Sequence, residues 1–544
     1  MKKTKLLALF AVPFLLGGIA SCGTSSSSGG SQTLRIGFVK LGYGDDFIKN
    51  IIKGYTAKTG VKVTLDERIG SDGVSALTTD LTSHASKNDL IFNKFQTTFS
   101  KSIWKQTPYT VKGTRYNSLF ADLTDIWEGK CAETDTKTLK ERASLAIDTF
   151  YNYDINEDGS SHYYGLPWAG GFLGIVRNET LWNKLGFSDE TDELYTTNQL
   201  FALCDKVVAM NKKSSEGMDD PIAPFIYVSS TEYYSPFINI WAAQYEGYDT
   251  SVNKMLMGYD PDGNISSEYY TYDGQRVAID TTQKLVSLTN KYQYAQETLE
   301  FTTAQRYFLT GEALFMVNGT WLENESGNAS YDETKFIRTP VCSELSRKLS
   351  YFRADNANNP DYDVKLASLV KYVDALDTDP NAKAPEWATK NDIKIVTEAR
   401  HFSYTLIGSD HQVVIPAYSS KIDLAKDFLK YMYSDEGLNI YYETMNGLTL
   451  PFSTNSGTYT AQLDMNKVST FKKSIMDECN YNYFVDITDK GQFFSVAGVS
   501  CYYVNGCPSL IKAIRSSNMT TDAILSANTQ WLEANINDIQ NTLM

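Results

Sequence analysis

The first periodic stretch beyond the amino-terminal segment is TLRIGFV, Thr33 to Val39, where apolar and polar positions alternate as in a β-strand. Asp45 and Asp46 follow, and acidic residues favour a helix start. Phe47, Ile48, Ile51, Ile52 and Tyr55 then fall on one helical face, and Gly60 supplies a stop. VKVTLDE, Val61 to Glu67, predicts a second strand, Gly73 to Ser83 a second helix, and DLIFN, Asp89 to Asn93, a buried third strand. Strand–helix–strand order of this kind predicts an α/β fold with a largely parallel sheet. Ligands of such sheets lie beyond the carboxyl ends of the strands. The loops after Val39 and Phe92, holding Tyr43, Asn93 and Lys94, are therefore candidate binding loops.

The amino-terminal segment has a different pattern. Lys2, Lys3 and Lys5 precede an apolar run from Leu6 to Ala20. The run is shorter than the roughly 20 residues a membrane-spanning helix needs, and its basic start suits an export signal. Ile19-Ala20-Ser21-Cys22 resembles the lipobox of bacterial lipoproteins. That resemblance implies removal of residues 1–21 and acylation of Cys22, and stable anchoring takes more than one acyl chain. The serine- and glycine-rich residues 22–32 read as a flexible leash. No later segment offers 18 uninterrupted apolar residues. The expectation is a body held by its lipid on the extracytoplasmic face of the cell membrane.

About 510 residues remain, more than one core holds, which predicts two domains or a two-lobed body. Net charge is −15, or −18 once the three signal lysines are removed (−15 minus 3). That acidic balance argues against nucleic acid, whose phosphates need a basic footprint. The chain holds 36 Tyr, 26 Phe and 8 Trp, side chains that suit sugar- or peptide-binding surfaces as well as cores. Besides Cys22 there are Cys131, Cys204, Cys342, Cys479, Cys501 and Cys507, for which disulfides and buried thiols are both open readings; Cys501 and Cys507 are the nearest pair. Asp154, Asn156, Asp158 and Gly159 mimic the start of a calcium loop, but Gly165 stands where the bidentate Glu belongs. A hairpin turning at Asp158-Gly159 is the better reading. The four histidines have no metal spacing, and neither a GxSxG elbow nor a P-loop is present. No catalytic set, metal site or cofactor is expected.

Three stretches carry a more specific signal. They are YYGLPWAGGFLGIVRNETLWNKLGF, Tyr163 to Phe187; FLTGEALFMVNGTWLEN, Phe308 to Asn324; and HQVVIPAYSSKIDLAKDFLKYMYSDEGLNIYYE, His411 to Glu443. In this order, after a lipobox and the TGVKV opening, they resemble the extracellular solute-binding proteins that include maltose-binding protein. The resemblance implies a two-lobed periplasmic-binding-protein-like fold with a hinge, an interlobe ligand cleft, a carbohydrate (oligosaccharide) ligand and delivery to ABC transporter permease subunits by a monomer. It divides the body into 33–165 plus 335–450 for the first lobe and 166–334 plus 451–544 for the second, with 343–409 as an insertion. Trp321 matches a tryptophan that stacks on sugars in the family. Trp168 follows the crossover, and Tyr233, Tyr234 and Trp241 lie in a segment similar to one whose start contacts sugar. Candidate ligand residues are thus Trp321, Trp168, Tyr234, Trp241, Tyr43 and Asn93, while Trp127 and the helix around Leu424, Phe428 and Leu429 read as core. The rival readings are the same fold binding a peptide or other small solute, and a glycan-binding surface lipoprotein without a transporter.

Overall fold

The computed structural model describes residues 33–95, 108–143, 152–155, 161–213, 221–226, 234–247, 250–251, 272–286, 293–294, 300–326, 331–407, 411–445, 452, 455, 465–466, 468–481, 483–486, 513–514 and 519–543. The export signal, Cys22, the leash, the Asp158-Gly159 turn, Tyr233, Cys501 and Cys507 lie outside these residues.

The opening follows the sequence pattern closely. Strand β1 (Thr33–Lys40) leads to a helix, Asp46–Thr59, that buries Phe47, Ile48, Ile51 and Tyr55 and ends at Gly60. Strand β2 (Lys62–Ile69), the helix Gly70–Thr82 and strand β3 (Leu90–Lys94) complete the unit. Two small hairpins follow, β4 (Tyr109–Val111) with β5 (Thr114–Tyr116), and β6 (Asn152–Ile155) with β7 (Ser161–Tyr163). The second hairpin flanks the predicted turn.

The remaining strands are β8 (Leu166–Pro167), β9 (Gly171–Asn178), β10 (Ala223–Ile226), β11 (Gln293–Tyr294), β12 (Ala313–Gly319), β13 (Thr334–Ile337), β14 (Phe402–Ile407), β15 (His411–Val414) and β16 (Tyr483–Asp486). Among the described residues they make two main sheets. The first has the order β2-β1-β3-β15-β8, and the second β11-β10-β12-β9-β14-β16, with β13 also on β9. Two lobes result, and the chain passes between them from β8 to β9 and back from β14 to β15.

Those passages explain why neither sheet is purely parallel. β1 is parallel to β2 and β3, but β15 returns antiparallel to β3 and to β8. In the second sheet β9 is antiparallel to β12, β13 and β14. A strand that arrives from the other lobe enters against the local direction, and mixed sheets follow.

The lobe assignment drawn from the sequence needs correction at 335–407. β13 and β14 both pair with β9 in the second sheet, so this stretch lies with the second lobe. Only from His411 does the chain rejoin the first sheet. Leu166 and Pro167 also stay in the first sheet, which puts the crossover after them. The described part of the 343–409 stretch, residues 343–407, packs on the second core through Leu366, Leu369, Val370, Val373 and Val396. Buried charges fasten it as well. Arg338, 12% exposed, meets Asp374 at 3.0 Å, Asp377 at 2.6 Å and Glu478 at 3.0 Å, and Arg400 shares Asp374 at 2.8 Å.

Cores match the patterns that were legible locally. Trp127 is buried and donates from Nε1 to Gly165 O at 2.9 Å. The helix Ile422–Met432 buries Phe428 and Leu429. Cys204 is buried, Cys342 is a buried free thiol, and Cys131 is a half-buried one. None of the described helices is long and apolar enough to cross a membrane.

Candidate functional site

Between the lobes lies a cavity of about 580 Å³. The first lobe contributes Tyr43, Gly44 and Asp46 from the β1 loop, with Thr444 and Met445; the second contributes Glu323, Tyr331, Asp332 and the 469–472 segment. Its position beyond the carboxyl end of β1 is where an α/β sheet binds ligands.

The loop that presents Tyr43 is built by local chemistry. Gly44 N–H donates to Leu41 O at 2.9 Å, and Gly44 sits at φ +74°, a left-handed conformation that favours glycine. Asp45, the next residue, accepts from Lys40 at 3.0 Å and from Lys49 at 2.6 Å. Burial pushes the Asp45 carboxyl up, but Lys49 and Lys40 together outweigh it and hold the group well below the usual carboxylate range. The loop is therefore anchored on both sides of Tyr43.

Tyr43 connects the lobes. Its ring meets Trp321 of the second lobe edge-on at 6.2 Å, and Trp168 and His411 at 6.2 and 5.2 Å. Trp321 is 8% exposed and lies behind Tyr43. Its indole also explains Gly319: a Cβ there would sit 2.3 Å from the Trp321 ring. The bare backbone makes room for the protein's own tryptophan, and no ligand is needed to account for it.

The other sequence candidates separate from the cavity. Trp168 is fully buried in the first lobe, stacked on Phe47 at 5.9 Å, with its Nε1 donating to Asn93 O at 3.0 Å. Asn93 is fully buried and donates from Nδ2 to Val74 O and Thr78 Oγ1. Trp241 is buried on the far side of the second sheet and donates to Pro340 O at 3.3 Å. All three are enclosed by protein and hold the frame. Tyr234 begins the helix Tyr234–Glu246.

Several cavity residues were missed by the sequence reading. Tyr331 and Asp332 precede β13, and Lys472 lies on the helix Thr470–Tyr481. That helix is seated by Phe471, which stacks on Phe336 at 5.1 Å, and by Ser474 Oγ, which accepts from Phe336 N–H at 2.9 Å. Lys472 Nζ stands 3.8 Å from Glu323, whose short helix follows Trp321. Burial lowers the Lys472 ammonium below its ordinary value, with Glu323 opposing that shift. Of the lining residues, Tyr43 was among the candidates named from sequence, and Asp46 was read only as part of an acidic helix start. Chemically, the described lining residues offer aromatic rings, hydroxyls and carboxylates around one ammonium. Among the described residues no group of three or more His, Cys, Asp and Glu is placed to hold a metal.

Comparison with known proteins gives this geometry a family. The family described as bacterial extracellular solute-binding protein matches residues 42–438. Among solved structures, the chain is similar to a solute-binding protein, RafE, in complex with raffinose, at 12% identity, covering 91% of this chain and 98% of that chain with a TM-score of 0.52. It is also similar to an ABC transporter solute-binding protein from Thermotoga lettingae TMO bound with α-D-tagatose, at 14% identity, 94% and 100% coverage and a TM-score of 0.57. Among curated proteins no relative matches. At these identities the structures speak for the two-lobed fold, while the family match spans most of the chain: the protein belongs to the bacterial extracellular solute-binding proteins.

Proposed function

We propose that this protein captures a carbohydrate, an oligosaccharide in size, in its interlobe cavity and delivers it to the permease of an ABC importer. The observation that carries the reading is the cavity itself, about 580 Å³, within the size range of small-ligand sites and walled by both lobes. Tyr43, Tyr331 and Phe471 are aromatic residues of its wall, and Ser326, Thr334, Thr444, Ser469 and Thr470 supply polar partners. Two similarly folded proteins hold raffinose and tagatose. In this reading Trp321 acts as the backing that positions Tyr43. Ligand closes the lobes about the β8–β9 and β14–β15 passages, which are the hinge.

A thermal-shift screen of the full chain with raffinose, D-tagatose, maltotriose and a mixed peptide pool tests this. A sugar is expected to raise the melting temperature by mass action. A shift with peptides and none with sugars overturns the carbohydrate assignment and favours the peptide-binding alternative.

The amino terminus completes the proposal. Acylation at Cys22 would tether the monomeric binding protein beside its permease on the extracytoplasmic face. Cys22→Ser is expected to move the exported protein from the membrane fraction to the soluble fraction. A variant that stays with the membrane to the wild-type extent removes the lipid tether from the account.

A further inference from the structure

We infer that Glu323 and Lys472 are the specificity-determining pair of the interlobe cavity and that they select an uncharged vicinal diol. The inference rests on the carbohydrate reading above and sharpens it to a class of sugar.

Lys472 is the one cation among the described residues lining the cavity. Its side chain is only 12% exposed, although an ammonium is among the groups most reluctant to leave water. Glu323 balances its charge at 3.8 Å, which is too long for a strong N–H···O bond. The two groups come from separate elements, the helix after Trp321 and the helix Thr470–Tyr481, and both reach the same space. The cavity thus presents a donor and an acceptor side by side, neutral as a pair and incompletely satisfied by each other.

Adjacent hydroxyls on a sugar ring complement that arrangement. One hydroxyl oxygen accepts from the Lys472 ammonium while the neighbouring O–H donates to the Glu323 carboxylate. Each becomes a charge-assisted hydrogen bond, the stronger kind. A uronate adds a second anion beside Glu323, in a cavity whose lining already holds more carboxylates than ammonium groups, and leaves a partly buried charge unbalanced. The other lining carboxylates do not substitute for the pair. Asp46 and Glu333 are exposed, and Asp332 accepts from Asn178 Nδ2 at 2.9 Å.

The test is calorimetric titration of the full chain with neutral oligosaccharides, raffinose and maltotriose among them, each accompanied by its uronic-acid counterpart. Wild type is expected to bind a neutral member at least tenfold tighter than its uronic-acid counterpart. Lys472→Met is expected to weaken the neutral sugar by about 10- to 100-fold, the value of one charge-assisted bond, with its melting temperature nearly unchanged. Glu323→Gln is expected to relax rejection of the uronate, a change that loss of a merely structural contact does not produce. Equal binding of uronate and neutral sugar by wild type, or neutral-sugar affinity within twofold in both variants, overturns the inference. Silence of wild type toward the whole panel overturns the carbohydrate reading itself, which separates the two failures.

Discussion

Replacing Arg338 by methionine is expected to lower the unfolding free energy by about 3–5 kcal/mol, the effect of leaving buried charges without their partner. Three carboxylates, Asp374, Asp377 and Glu478, converge on this one guanidinium at 2.6 to 3.0 Å. They come from the helix Asp361–Leu376 and its end, and from the helix Thr470–Tyr481. Methionine fills similar volume but carries no charge, so Asp374 keeps only Arg400, and Asp377 and Glu478 lose their strongest partner. Urea unfolding followed by circular dichroism at neutral pH measures the loss. A midpoint unchanged from wild type shows that the network contributes nothing net.

The same network predicts how the loss varies with pH. Burial raises the Asp374 carboxyl, but Arg400 and Arg338 together overcome it and hold the group below its ordinary value. A carboxyl lowered in the folded state contributes stability that is complete above its unfolded value, about 3.9, and is lost as pH falls through the folded value. The gap between wild type and Arg338→Met is therefore widest at neutral pH and narrows below about pH 4. A gap that stays constant into acid assigns the defect to packing.

Trp168→Ala carries the second large effect, also about 3–5 kcal/mol, in the range for truncating a buried tryptophan. The ring packs against Phe38 at 5.4 Å, Phe47 at 5.9 Å and His411 at 5.0 Å, so its loss opens a void under the lobe junction. It also leaves Asn93 O without the indole donor. Trp168→Phe keeps part of the volume and is expected to fall about midway. Tyr43 rests on the same ring, so ligand affinity should fall along with stability in the alanine variant. If stability falls while affinity for a bound sugar is untouched, the aromatic junction does not shape the cavity.

What the sequence made legible follows from range. The β1–helix–β2 opening is a set of local periodicities, and each element lies within two residues of its expected bounds. Trp127 and the helix around Phe428 were readable for the same reason. The path of the chain between lobes was not. β14 returns to β9 across more than two hundred residues, and nothing near Phe402 announces that partner. Trp241 and Asn93 show the matching limit at the site. An aromatic or an amide looks the same in sequence whether it faces ligand or holds a frame, and only the Pro340, Val74 and Thr78 contacts decide. Lys472 enters the cavity because Phe471 stacks on Phe336, a pairing between distant segments with no local signature.

The placement of β15 between β3 and β8 has a consequence for biogenesis. β3 ends at Lys94 and its partner begins at His411, 317 residues later (411 minus 94). At ribosomal rates that interval lasts about 15–60 s. Throughout it, Ile91 and Phe92 lack the neighbour that later covers them, and an apolar strand edge left open invites pairing with other chains. A nascent polypeptide of this design gains from holdase binding or from translocation that outpaces folding, and its yield should depend on those factors more than on the strength of its finished cores.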